Sequence, residues 1–158
     1  VDVQARLNSM IRQVRALNPD GLRIQFSCQQ DLPAVRAIAA QLDEALWNII
    51  DNGLNAMPEG GTLTITADSI VHDQGDERIK IQIKDDGIGV TEEDRDGLFF
   101  LFHTAQVGHR GGGYGLWRAK HLVELMGGTI DFESVIGIGT VFAVVLPTEE
   151  GRAANERS

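Results

Sequence analysis

The chain has 158 residues, 42% of them hydrophobic, which is enough apolar material for one globular domain with its own core. Its 23 acidic residues outnumber 14 Lys and Arg for a formal net charge of −9, which argues against nucleic acid or direct membrane contact, since both reward clustered cations. The single cysteine, Cys28, excludes an internal disulfide and fits a reducing, cytoplasmic setting, and no apolar run approaches the roughly 20 residues of a membrane span.

The N-terminus has no signal-peptide pattern, and a first residue of Val rather than Met suggests a piece of a longer, membrane-bound or soluble parent. Val3, Leu7, Met10, Ile11, Val14 and Leu17 recur at helical spacing and predict an amphipathic helix over residues 3–17. Asn18-Pro19-Asp20-Gly21 stops it, and Leu22, Ile24 and Phe26 alternate with polar residues as a strand. After Asp31-Leu32-Pro33, residues 34–38 are expected to form a short second strand.

Residues 40–57 return to helical spacing, with Leu42, Ala45, Leu46, Ile49, Ile50 and Leu54 as the apolar stripe. The opposite side carries Glu44, Asn48, Asn52 (with Asp51) and Asn55 at three- and four-residue intervals, so they share a face. A solvated face is one reading, but Asn costs roughly half a kcal/mol more than Ala, Lys or Glu inside a helix. The other reading is a row of oxygen ligands for a hard cation such as Mg²⁺, which keeps waters and substrate phosphates in its shell.

Pro58-Glu59-Gly60-Gly61 ends that helix, and Leu63, Ile65 and Ala67 open a strand joined through polar residues 71–77 to a hairpin partner. In that partner, Ile79, Ile81 and Ile83 face one way and Lys80, Gln82 and Lys84 the other. Asp85 falls on the isoleucine face, where a carboxylate needs a partner. It either opens a turn, as Asp-Gly often does, or accepts a hydrogen bond from a ligand's amino group, with Gly87 and Gly89 permitting close approach.

Thr91 caps a short helix with acidic first-turn residues, and the cluster at residues 98–102 reads as core. Residues 105–115 hold five glycines, and either a flexible linker or a phosphate cradle fits them. The helix resuming at Tyr114 with Leu116, Ala119, Leu122, Val123 and Met126 favours the cradle, with His109 and Arg110 as local cations. Residues 129–133 and 140–146 flank Gly137-Ile138-Gly139 as a hairpin, and residues 149–158 read as a polar, disordered tail beyond a domain at 1–148.

A cation row, a carboxylate for an amino group and a phosphate loop together suit an adenine nucleotide with Mg²⁺, although P-loop and dinucleotide fingerprints are absent. At these residues the sequence resembles the GHKL ATPase superfamily, and within it the catalytic and ATP-binding domain of bacterial sensor histidine kinases. Residues 46–53 are similar to the family's N box, 85–89 to its first glycine box, 99–104 to its F box, 111–116 to its second glycine box and 139–142 to its last.

The resemblance implies an α+β fold, a two-layer sandwich with helices on one face of a mixed, mostly antiparallel sheet. It further implies that Asn52 and Asn48 hold Mg²⁺ and phosphate, that Asp85 binds the adenine amino group, and that residues 106–113 form a mobile lid. Thr104, Gly111, Gly113, Tyr114, Gly115, Leu116 and Thr140 fall within boxes that would contact ATP. Hydrolysing relatives carry Glu where this chain has Asn48, so transfer to a histidine on a helical dimerisation domain is expected, with a response regulator downstream. None of His72, His103, His109 or His121 sits in an acceptor context.

Gly53 replaces the usual Ala, Phe100-Leu101 a common Glu-Pro, and Gln106 a lid Lys, which keeps open a low-activity nucleotide-binding module. An anti-sigma-type serine kinase shares the same boxes. Glu44, one turn before Asn48, either orients a water or ligand or is a solvated face residue.

Overall fold

The computed structural model describes residues 1–17, 21–71, 75–99 and 114–149, with Tyr114 placed by its backbone alone. Helix α1 (Val3–Leu17) precedes strand β1 (Leu22–Cys28), helix α2 (Ala39–Asn55), and strands β2 (Gly61–Val71) and β3 (Glu77–Asp85). A one-turn helix α3 (Glu92–Arg95), helix α4 (Tyr114–Leu125) and the strands β4 (Thr129–Val135) and β5 (Gly139–Pro147) follow.

The five strands form one sheet in the order β1-β2-β3-β5-β4. Strands β1 and β2 run parallel, joined across α2, and the remaining pairs are antiparallel. This is the expected mixed, mostly antiparallel sheet. Period-two alternation sends Leu63, Ile65 and Ala67, Ile79, Ile81 and Ile83, and Phe142, Val144 and Leu146 into one core. Leu7, Met10, Val14, Leu42, Leu46, Ile49, Ala119, Leu122 and Val123 cover that face from the helices. The sheet's other face presents Lys80, Gln82, Lys84, Val141 and Ala143.

Two details depart from expectation. Residues 34–38 are not a strand; Val35 alone bridges to Thr148 and is buried, while its neighbours are half-buried or exposed. Leu17 fits the helical spacing of α1 yet is 67% exposed, because the last turn runs past the edge of the core. The short helix begins as predicted, with the Thr91 hydroxyl accepting from the Asp94 amide. Of the tail expected at residues 149–158, Glu149 is ordered, its amide donating to the Ala34 carbonyl at 3.0 Å, while residues 150–158 and the segment at 100–113 lie outside the described residues.

Candidate active site

The register of three strands sets a single row across the sheet. Asp85 is paired with Leu63 on one side and with Thr140 on the other, and Thr140 is in turn paired with Ser134. All four face the helices. Asp85 therefore ends the isoleucine face of β3 inside the core, only 2% exposed.

Its carboxylate is held from below by backbone, with the Gly87 amide donating to Oδ1 at 2.9 Å. Burial pushes the Asp85 carboxyl above the usual carboxylate range, the amides of Gly87 and Thr140 pull it back, and the adjacent Asp86 charge adds to the rise. A buried acceptor of this kind rewards a donor brought to it from outside the chain.

Helix α2 lies over this carboxylate. A methyl group on Gly53 would sit 3.6 Å from Asp85 Oδ2 and 3.3 Å from Leu63 Cδ1, so α2 meets β3 with a glycine in between. Asn52 is the neighbour of that glycine, and Asn48 is one turn earlier; both are half-buried. Asn55 donates to Asp51 at 3.3 Å, whereas the side chains of Asn48 and Asn52 have no partner among the described residues.

The start of α4 closes the other side, because a methyl on Gly115 would stand 3.7 Å from Asn48 Oδ1. The N-terminal turn of α4 and the amide row of α2 are thus in van der Waals reach. Leu116, by contrast, turns into the core.

Glu44 is exposed at the far end of the row and pairs with Arg118 of α4 at 3.1 Å. Thr140 is 4% exposed beside Asp85. Gly87 and Gly89 have a packing reason of their own. A side chain on Gly87 would collide with the Ala56 carbonyl, and Gly89 holds φ +77° with the Val135 carbonyl against it. These glycines let the turn after β3 press on the end of α2, where the Ile88 amide donates to Ala56 at 3.2 Å. Asp86 points away from the core and accepts from the Thr62 amide at 2.9 Å. Thr104, His109, Arg110, Gly111 and Gly113, and with them the lid expected at residues 106–113, lie outside the described residues, as does the Tyr114 side chain.

Ser134 and Arg95 were not singled out from the sequence. The Ser134 hydroxyl accepts from the Val90 amide at 2.8 Å and contacts Thr140 Oγ1 at 2.8 Å, while Arg95 donates to the Ser134 carbonyl. A serine five residues before Gly139-Thr140 was the only signal, and strand alternation explains it equally well.

A profile of the histidine kinase-, DNA gyrase B- and HSP90-like ATPases matches residues 37–150. The chain belongs to this family. Sporulation kinase E of Bacillus subtilis is 33% identical over 140 residues, covering 89% of this chain and 18% of the relative. The structure of full-length ShkA in complex with AMPPNP superposes with a TM-score of 0.74 at 28% identity, covering 94% of this chain and 30% of that one. The mycobacterial sensor histidine kinase MprB, at 23% identity, shares the fold with a TM-score of 0.75 over 94% of this chain and 97% of its own. The chain spans between 18% and 26% of the length of the first three curated relatives. Within the ATPase family it is a histidine kinase-type catalytic and ATP-binding domain.

Proposed function

We propose that this domain binds ATP with Mg²⁺ and donates the γ-phosphoryl group to a histidine on a separate helical dimerisation domain. The observation that carries the reading is that α2 brings a buried carboxylate, two half-buried amides without a partner among the described residues and the first turn of α4 into one neighbourhood, with Gly53 against Asp85 and Gly115 against Asn48. The relative bound to AMPPNP, an analogue of ATP, supports the ligand.

Asp85 receives the adenine amino group as a further donor beside the Gly87 and Thr140 amides that its carboxylate already accepts from. The residues also fit a magnesium ion. Among the described residues no three His, Cys, Asp or Glu side chains are placed to hold a metal ion together, and Asn48 and Asn52 would offer neutral amide oxygens, leaving charge compensation to the phosphates. Bound magnesium would neutralise phosphate charge. Asn48 stands where hydrolysing family members carry a general base, so water is not activated and the acceptor must bring its own nucleophile. Glu44, tied to Arg118, orients the approach to Asn48 from the outer end of the row. In the parent protein, the phosphohistidine would then pass its phosphoryl group to a response regulator.

Mixing the domain with its helical partner and γ-labelled ATP tests the proposal. Acid-labile label on the partner is the expected product. Acid-stable label would indicate serine transfer, and binding without transfer would leave a regulatory nucleotide module.

A further inference from the structure

The row that carries Asp85 ends, two strands away, in the hydroxyl of Ser134. Ser134 is 6% exposed at the end of β4, and its Oγ meets three groups. It lies 2.8 Å from the Val90 amide, 3.1 Å from the Gly139 carbonyl and 2.8 Å from Thr140 Oγ1. A hydroxyl has one proton and two acceptor sites. The Val90 amide can only donate and the Gly139 carbonyl can only accept, so the Ser134 proton goes to Gly139. Thr140 is then left to donate its own proton to Ser134. The reverse arrangement would set lone pairs of Ser134 and Gly139 against each other in a buried site, which is costly.

With its proton committed to Ser134, Thr140 Oγ1 presents only lone pairs to its other side. That side adjoins Asp85, the cross-strand neighbour on the same face. Asp85 and Thr140 would then offer acceptors side by side to a base bound against them. Such a pair accepts the amino group of a 6-aminopurine and opposes the carbonyl of a 6-oxopurine.

We propose that Ser134 is a positioning residue that fixes the hydrogen-bond polarity of Thr140 and so selects adenine over guanine nucleotides. This rests on the reading of the site as an ATP site. Ser134 does not touch the base. It also anchors Val90, behind the first glycine turn, so a purely structural role would weaken all nucleotides alike and leave their ratio unchanged.

Equilibrium binding of ATP, GTP and inorganic triphosphate, each with Mg²⁺, separates these roles. In Ser134→Ala the Thr140 hydroxyl is free to turn and donate to a 6-oxo group. The ratio of the GTP to the ATP dissociation constant should fall by on the order of three- to tenfold, the worth of one neutral hydrogen bond. Triphosphate affinity should not change, and Ser134→Thr, which keeps the hydroxyl, should retain the wild-type ratio. If Ser134→Ala is too unstable to measure, Ser134→Cys, a near-isostere with a weak donor, is read in the same way. A wild-type preference for ATP that survives intact in Ser134→Ala, or in Ser134→Cys, overturns the proposal alone. Wild-type protein with no preference between ATP and GTP overturns the reading of the site and the proposal with it.

Discussion

Replacing Gly53 by Ala probes the contact between α2 and the Asp85 carboxylate. Gly53 is buried near the C-terminal end of α2, where glycine costs up to about 1 kcal/mol in backbone freedom relative to alanine. The added methyl would meet Asp85 Oδ2 at 3.6 Å, an ordinary contact, and Leu63 Cδ1 at 3.3 Å, a few tenths of an ångström too close. Burying one methyl returns roughly 0.8 kcal/mol, while easing Leu63 off its rotamer costs about 0.5–1.5 kcal/mol. The balance is a gain of about 0.5 kcal/mol, and at most about 1.3 kcal/mol. For a domain of this size that is a rise in Tm of about 1–2 °C, and at most about 5 °C. Thermal and urea unfolding of the two proteins side by side measure it, and ATP affinity should stay within about threefold, since no hydrogen bond is lost. A variant clearly less stable than wild type would show that Leu63 has no room to yield and that α2 has no slack against β3.

Asp85→Asn should raise stability at neutral pH, because it removes a charge that burial disfavours while keeping an oxygen for the Gly87 amide. The folded-state pKa lies above the unfolded one, so wild-type stability is fully present below the ordinary carboxylate range and declines as pH rises through the raised value. The gap in Tm between Asp85→Asn and wild type should therefore widen from about pH 4 to pH 7; a gap independent of pH would contradict the burial of the charge. Asn52→Ala should leave the fold intact, as its side chain has no partner among the described residues, but abolish the Mg²⁺ dependence of ATP binding. Retained dependence in a titration with and without the metal would remove Asn52 from that role.

Most of the fold was legible because its elements carry clean periods. The isoleucines of β3 and the apolar stripe of α2 leave no second way to bury their faces. Residues 34–38 misled because a run with one inward side chain after Pro33 looks the same whether it forms a strand or a single bridge. Leu17 misled because spacing reports which way a side chain points but not where the core stops.

At the site, Asp85 was visible as a polar residue on an apolar face. The pairing of Asn48 with Gly115 was not, since it arises from two helices distant in sequence. Gly87 and Gly89 suggested room for a ligand, and the structure fills the space beside them with the carbonyls of Ala56 and Val135. Ser134 went unnoticed because its role comes from a register between three strands, which alternation within one strand does not reveal.

The binding of ATP to Asp85→Ala, measured by calorimetry beside the wild-type domain, tests the central claim most directly. A hydrogen bond to a charged acceptor is worth about 1.5–3 kcal/mol, so the affinity should fall by roughly ten- to more than a hundredfold. Inorganic triphosphate, which has no amino group, should bind both proteins equally. Unchanged ATP affinity in a folded Asp85→Ala domain would contradict the account, for the carboxylate would then have no part in recognising the base.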